Sequence, residues 1–243
     1  MTSEQVMLAV LVLALGGCYA PSARPVEPLA SPYAERQVWA VAPLRNESGS
    51  LHADGVKLAD QLAYQLENAA NLDVLPVNRT LHAMALLGLT ELTTKQDAMK
   101  LLQVLGADGL VVGTISAYDP YDPPRMGVAL ELYLHPRRMS DEAQVDVRRL
   151  TRASTDELSL APPPVLSQPV VAVSAILDAR SPGTRENLER YAVNRGVVPT
   201  REAAVHYRIN MDLYSEFVSY VMCWRLLRAE AQRIAPPEVK PAS

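Results

Sequence analysis

Two cysteines, four histidines and scattered serines are the residues of this chain best suited to catalysis or metal binding. No histidine has a second histidine or a cysteine three or four residues away, as a structural zinc site requires; the four are His52, His82, His135 and His206. No serine stands in the G-x-S-x-G context of a nucleophile elbow, and no glycine-rich phosphate loop occurs. The sequence therefore predicts a protein that is not an enzyme and that needs no metal ion or cofactor.

Two polar turns are candidate binding sites. Asn46, Glu47 and Ser48 follow the first predicted strand, at the carboxyl end where open α/β sheets often bind ligands. The alternative is a capped turn that binds nothing. Asp119 and Asp122 could offer oxygen ligands to calcium, but aspartates beside prolines are also typical of an ordinary hairpin loop.

The first cysteine closes an apolar run. Val6–Leu15 supplies about ten apolar residues, which suits the core of a signal peptide and is too short for the ~20 residues of a spanning helix. Leu15-Gly16-Gly17-Cys18 resembles the lipobox of bacterial lipoproteins. The resemblance implies that residues 1–17 are a signal peptide and that lipid such as palmitate on Cys18 anchors the mature chain in a membrane. Tyr19 is not the aspartate that signals inner-membrane retention in many lipoproteins, which implies the periplasmic side of the outer membrane.

The start of this segment departs from the lipoprotein pattern. The first five residues contain Glu4 and neither lysine nor arginine, whereas signal peptides normally begin with positive charge. Either the true start lies upstream of Met1, or the chain is not exported. In the second case the apolar run would form a short helix on the body, with Cys18 as an ordinary thiol.

Residues 18–36 are rich in proline. Pro21, Pro25, Pro28 and Pro32 are separated by small and polar residues, a composition that favours extended chain without internal hydrogen bonds. The segment therefore predicts a tether. At ~3.1 Å per residue, it would hold a folded domain roughly 50 Å from the bilayer.

Hydrophobic periodicity predicts strands that alternate with helices over residues 37–178. The predicted strands are residues 37–44, 72–77, 109–117, 126–134 and 169–177, and the predicted helices are residues 54–71, 78–87 and 95–105. Asp54 and Thr94 are the predicted caps of the outer two helices, and Asn78 or Thr80 begins the middle one. The order β-α-β-α-α-β-β-β predicts an α/β sandwich with a mixed sheet. Residues 136–168 are predicted to form a long excursion of the chain over the surface, with a short edge strand at residues 145–150.

Two segments of this body resemble a known family. Both are similar to segments of the CsgG-type periplasmic lipoprotein fold. The first is Val41-Ala42-Pro43-Leu44-Arg45-Asn46-Glu47-Ser48-Gly49, with the helix and strand after it, and the second is Leu105-Gly106-Ala107-Asp108-Gly109-Leu110-Val111-Val112-Gly113-Thr114-Ile115. That group includes the curli secretion channel, activators of peptidoglycan synthases and exopolysaccharide export lipoproteins. The resemblance covers residues 37–178. A pore is not expected, because barrel strands alternate apolar with polar residues and residues 136–168 are highly charged.

Residues 179–235 predict helices that extend the α/β domain, and residues 236–243 predict a disordered tail. Ser181 and Pro182 begin one helix, and a single longer helix is expected from Pro199 to Ile234. The longer helix has a solvated stripe and a broad apolar face; the stripe contains Arg208, Asp212, Ser215 and Ser219. The apolar face either packs on the body or meets another subunit or partner, for which the candidates are Phe217, Tyr220 and Trp224. Cys223 is expected to be a small core residue.

The formal net charge of −4 is mildly acidic and gives no reason to expect a nucleic-acid partner. Together with the anchor, the absence of a catalytic motif predicts a lipid-anchored cell-envelope scaffold or assembly protein that acts through protein–protein contacts and possible homo-oligomers. Two alternatives stay open: an envelope enzyme or ligand-binding module that uses the turn at Asn46–Ser48, and a regulator of a peptidoglycan synthase.

Overall fold

The computed structural model describes residues 26–135, 169–195 and 201–235. The predicted signal peptide, Cys18, the excursion at residues 136–168 with its edge strand, and the tail at residues 236–243 lie outside the described residues. The described elements are β1 (Gln37–Val41), β2 (Arg45–Asn46), α1 (Gly55–Glu67), β3 (Leu72–Leu75), α2 (Val77–Leu86), α3 (Lys95–Leu105), β4 (Gly109–Asp119), β5 (Arg125–Leu134), β6 (Val171–Asp178), α4 (Pro182–Asn194), α5 (Arg201–Ile209) and α6 (Met211–Ile234).

The element order confirms the predicted fold class, a mixed-sheet α/β fold with a C-terminal helical extension. The strand order is β3-β1-β4-β5-β6, and the two-residue β2 pairs with β4. β1 runs parallel to β3 and β4, while β4, β5 and β6 pair as antiparallel neighbours. Parallel strands need crossover connections. α1 connects β1 to its neighbour β3, and α2 with α3 connect β3 to β4 on the other side of β1.

Each face of the sheet has its own hydrophobic core. The larger core joins one face to α1, α4, α5 and α6 and includes the fully buried Trp39, Leu62 and Tyr214. The smaller core joins the other face to α2 and α3 around Leu101 and Leu110. Strands covered on both faces read as continuous apolar runs, which explains the pattern of β1 in the sequence.

Local capping confirms several predicted helix boundaries. The Asp54 carboxylate accepts from the backbone N–H groups of Val56 (2.9 Å) and Lys57 (3.0 Å), and Thr94 accepts from Asp97 (3.1 Å). Gly106 ends α3 with a φ of +63°, a conformation that favours glycine. The expected start of α2 at Asn78 or Thr80 is wrong.

The correct start of α2 is Val77, directly after Pro76. Thr80 does not cap the helix, because its side chain is 0% exposed and lies in the buried stripe. The first predicted strand is also too long: β1 ends at Val41, and the chain rejoins the sheet only as β2.

The C-terminal helices differ from the prediction in two ways. The single helix expected from Pro199 to Ile234 is divided at Asn210, whose side-chain oxygen accepts from the N–H groups of Asp212 (2.9 Å) and Leu213 (3.4 Å). Asparagine is a strong N-cap, so it starts α6 afresh. The predicted solvated stripe is wrong at Ser215 and Ser219, which are 8% and 0% exposed. The reason is that α6 packs against α1, α5, β5 and β6 together, which covers more of its circumference than one amphipathic face.

Among the helices that the structure describes, none combines the length and the apolar character that crossing a bilayer demands.

Candidate functional site

The most distinctive site is formed by the chain that precedes β1. We call Val26–Arg36 the anchor segment, because it follows the predicted lipidation site. The sequence predicts that this stretch is part of a free tether, but the structure places it on the body. Leu29 and Tyr33 are each only 9% exposed and belong to the larger core. The packed part of the protein therefore begins before Gln37 and includes the anchor segment.

A buried carboxylate holds the middle of the anchor segment. The Tyr33 hydroxyl donates to Glu230 Oε1, and Glu230 lies on α6 with 0% exposure. Arg233 donates to both carboxylate oxygens, from Nε and Nη2, at 2.7 Å each. Because a buried charge is stable only when it is paired and hydrogen-bonded, this arrangement keeps Glu230 inside the fold and ties the anchor segment to the end of α6.

Further contacts fix both ends of the anchor segment. At its start, the Tyr220 hydroxyl donates to the Glu27 carbonyl oxygen at 2.5 Å. Burial, with a smaller effect of the Glu27 carboxylate, raises the pKa of Tyr220 to about 12, so the hydroxyl stays a donor at neutral pH. Near its end, the Asn71 side-chain amide donates to the carbonyls of Tyr33 (3.1 Å) and Ala34 (3.3 Å). The segment is thus held along its length.

A groove of about 350 Å³ lies beside the start of the anchor segment. We call it the α6 groove. Its lining includes Val26, Glu27, Arg190, Val221, Trp224 and Arg225. The Arg228 guanidinium lies 4.9 Å from the centre of the Trp224 ring, a cation–π geometry.

The three residues of the predicted partner surface have three different positions around the α6 groove. Phe217 is 1% exposed and packs against Tyr191 and Tyr214, so it is a core residue at the base of the groove, and its part in a partner surface stays a prediction. Tyr220 is half-buried and holds the anchor segment. Trp224 is partly exposed in the groove and is therefore available for contact with a partner.

The turn at Asn46–Ser48 is closed by its own hydrogen bonds. The Asn46 side-chain oxygen accepts from the Ser48 N–H (3.0 Å) and hydroxyl (2.7 Å), and its amide donates to the carbonyls of Ser50 (2.7 Å) and Ala53 (3.2 Å). The exposed Glu47 carboxylate pairs with Arg45. These contacts agree with the capped-turn interpretation, because they already use the polar groups a ligand would need. The ligand-site hypothesis stays a prediction.

Gly55 explains why this turn lies tightly on the body. The first residue of α1, Gly55, passes Leu44 so closely that a Cβ at Gly55 would lie 1.8 Å from the Leu44 carbonyl oxygen. The Leu44 N–H donates to the Gly55 carbonyl at 3.1 Å. Only glycine fits this approach, so the turn serves the packing of α1 against the end of β1.

The aspartates considered for calcium binding and the second cysteine have structural partners. Asp119 and Asp122 pair with Arg180 (3.8 Å) and Arg208 (2.8 Å), and the residues that the structure describes contain no cluster able to hold a metal ion. Cys223 is confirmed as a core residue: it is 0% exposed and lies 3.6 Å from the Leu62 carbonyl oxygen. Burial raises the pKa of its thiol, which keeps it protonated and unreactive.

The motif Leu105-Gly106-Ala107-Asp108 is structural in this protein. Asp108 Oδ2 accepts from the Val38 N–H at 2.9 Å, and the Asp108 N–H donates to the Val38 carbonyl at 2.7 Å. Asp108 thus joins the start of β4 to β1. The residues that carry the sequence resemblance therefore specify how the sheet is assembled, and they do not form the candidate site.

Sequence reasoning missed the contacts between the anchor segment and α6. Their partners stand 193 residues apart for Tyr220 and Glu27, and 197 for Tyr33 and Glu230. The available signal was Glu230 itself, an acidic residue that follows Cys223, Leu226 and Leu227 on the buried side of α6.

Comparisons with known proteins give fold similarity at low identity. No family model matches the chain, and no curated protein matches it. The LpoB C-terminal domain from Salmonella enterica is 18% identical, with 43% of this chain and 76% of that chain covered and a TM-score of 0.36. Lipoprotein GNA1162 from Neisseria meningitidis is 15% identical over 58% and 80% of the two chains, with a TM-score of 0.36. The hypothetical protein CT253 from Chlamydia trachomatis is 10% identical over 82% and 96%, with a TM-score of 0.38.

All three TM-scores lie below 0.5 and all three identities below 20%, so these similarities assign neither a family nor a function to this chain. The assignment to the CsgG type stays a prediction.

Proposed function

We propose that this protein is a lipid-anchored scaffold or assembly factor of the cell envelope, which acts by position and by protein–protein contact and not by catalysis. Lipid on Cys18 would hold it at the periplasmic side of the outer membrane. The folded α/β body would then present its surfaces to other envelope proteins.

The observation that carries this proposal is the docking of the anchor segment. Tyr33, buried against Glu230, and Glu27, bound to Tyr220, fix the chain to α6 directly after the predicted membrane attachment. A flexible tether would allow the body to take any orientation within its reach. A docked segment instead couples the position of the anchor to the orientation of the whole domain, which is what a positional function requires.

Labelling with a radioactive fatty acid tests the anchor. We expect the wild-type protein to carry label and to fractionate with the outer membrane, and Cys18→Ala to lose both. Cys223→Ala is the matched control, because it removes the other cysteine and should keep the label. A wild-type protein that retains Met1, carries no label and stays in the soluble fraction would contradict the proposal.

The alternative of an enzyme or ligand-binding module depends on the turn at Asn46–Ser48. If the turn binds a ligand, replacing Asn46 or Ser48 by alanine abolishes function even in a protein that remains folded. If the turn is structural, the same variants lose some stability and keep their envelope role. Complementation of a deletion strain, with stability measured in parallel, separates the two.

A finer proposal names the partner as a peptidoglycan synthase. It is supported by the sequence resemblance alone. A pulldown should then recover the synthase with the full chain and with a variant that lacks residues 136–168. It should fail when residues 19–25, which precede the docked anchor segment, are replaced by a glycine-serine linker of equal length. Loss of the complex on deletion of residues 136–168 would contradict this partner mode.

A further inference from the structure

The exposed side of α6 next to the anchor segment is basic and aromatic. Between Glu216 and Glu230 the helix carries no acidic residue, and Arg225 and Arg228 are both exposed. The Arg228 guanidinium stacks on Trp224 at 4.9 Å. Tryptophan with arginine is the combination that is enriched where proteins meet the headgroup region of a membrane.

The α6 groove adds to this positive surface. Arg190 lines it together with Arg225, and Glu27 is its one acidic lining residue among those the structure describes. Arg225 donates from Nη1 to the Ser174 carbonyl at 3.3 Å. Because a guanidinium has five N–H donors, this contact fixes the side chain and leaves further donors free for a phosphate group.

Chain length brings this surface close to the membrane. Val26 lines the groove, so only residues 19–25 separate it from Cys18. Even fully extended, this stretch spans about 25 to 30 Å, roughly half of the 50 Å that a free tether to residue 36 would allow. The docked anchor segment therefore keeps the α6 groove near the bilayer.

We infer that the α6 groove and Trp224 rest on the membrane that holds the anchor, with Arg190, Arg225 and Arg228 binding anionic lipid headgroups. The inference rests on the proposed lipid attachment at Cys18. Charges are screened beyond about 8 Å at physiological salt, so these arginines act only when the groove lies directly on the surface, a position that a connection of about 25 to 30 Å permits. The contact would set which side of the α/β body faces the periplasm.

Tryptophan fluorescence tests this placement. The chain has two tryptophans, of which Trp39 is 0% exposed and lies in the core. The lipidated full-length mature protein is reconstituted into vesicles of phosphatidylcholine with brominated acyl chains, with or without one third phosphatidylglycerol. The difference in quenching between wild type and Trp224→Phe then reports on Trp224 alone.

We expect Trp224 to be quenched in the anionic vesicles, with the double variant Arg225→Gln/Arg228→Gln losing most of this quenching while it floats with the vesicles. Each arginine near an anionic surface raises partition onto that surface by about fivefold. Removing both should therefore weaken the binding of the groove to the anionic surface on the order of tenfold or more. Arg79→Gln/Lys100→Gln is the matched control, because it removes two exposed charges from α2 and α3 and should change nothing.

Two results would overturn the inference alone. One is a wild-type protein that floats with the vesicles but whose Trp224 is not quenched, which would leave the groove to a protein partner and leave the proposed function intact. The other is equal quenching of wild type and the double arginine variant. A protein that neither takes up fatty acid nor floats removes the proposed function together with this inference.

Discussion

The anchor segment and the turn after β1 are both irregular chain at the surface, yet they are held in opposite ways. The turn closes on itself, since the Asn46 side chain makes its hydrogen bonds with groups no more than seven residues away. The anchor segment finds its partners 37 to 197 residues away, on α6 and on the approach to β3. A local network stabilises only its own loop, whereas a long-range network couples two ends of the chain. This difference is why we place the functional site at the anchor segment.

The largest expected effect comes from removing the carboxylate that joins the two ends. Glu230→Ala leaves the Tyr33 hydroxyl and the Arg233 guanidinium without this acceptor, so we expect the free energy of unfolding to fall by about 3 kcal/mol. Urea denaturation measures this loss. Glu189→Ala, an exposed glutamate on α4, should stay within about 0.5 kcal/mol of wild type, and an equal loss in both variants would remove the special role of Glu230.

Removing only the tyrosine hydroxyl sharpens the comparison. Tyr33→Phe keeps the ring against Trp39, 6.0 Å between centroids, and deletes the hydrogen bond to Glu230. We expect a loss of about 1 to 2 kcal/mol and faster tryptic cleavage after the exposed Arg36, because the segment detaches more often. Tyr121→Phe, at a site that is 78% exposed, serves as the control. Unchanged cleavage in Tyr33→Phe would mean that apolar packing alone holds the segment.

The local network predicts a smaller and more confined effect. Asn46→Ala deletes the side-chain hydrogen bonds that close the turn, and we expect the free energy of unfolding to fall by about 1 kcal/mol. Tryptic cleavage after Arg36 should keep its wild-type rate, since the Asn46 side chain bonds only to Ser48, Ser50 and Ala53 among the described residues. Cleavage that accelerates as much as in Tyr33→Phe would show that the two regions are coupled.

The smallest effect is a dependence on alkaline pH. The pKa of Tyr220 is raised to about 12, mainly by burial, above the ordinary value of about 10 that the unfolded chain has. The neutral form therefore stabilises the folded state fully below pH 10, and this contribution is lost as pH rises towards 12. Tyr220→Phe should show a shallower fall of the unfolding midpoint over that range than wild type. A variant whose midpoint falls as steeply as that of wild type would show that Tyr220 does not titrate with unfolding.

Elements with local causes were predictable from the sequence. Asp54, Thr94 and Gly106 act within one helical turn, so their roles as caps follow from residue type and spacing. Predictions failed where several elements meet. Thr80, Ser215 and Ser219 carry hydroxyls that suggest solvent or a cap, but the packing of α2 and α6 buries all three.

The candidate site was only partly predictable for the same reason. The apolar face of α6 is visible in the sequence, and Trp224 and Tyr220 were found on it. Which of its residues would face solvent could not be found, because that depends on how α6 sits between α1 and β6. Phe217 is therefore in the core, although it lies in the same apolar row of the helix as Tyr220 and Trp224.

The order of most strands and helices, the mixed sheet and the lack of a catalytic motif follow from the residues alone, since periodicity, caps and motifs are properties of neighbouring residues. That Val26–Arg36 is bound and not free follows only from how the folded chain packs. Proline spacing reports the local preference for extended chain, and extended chain can be either solvated or docked. The segment is docked because α6 places the Glu230 carboxyl group in the interior, where the Tyr33 hydroxyl donates a hydrogen bond to it.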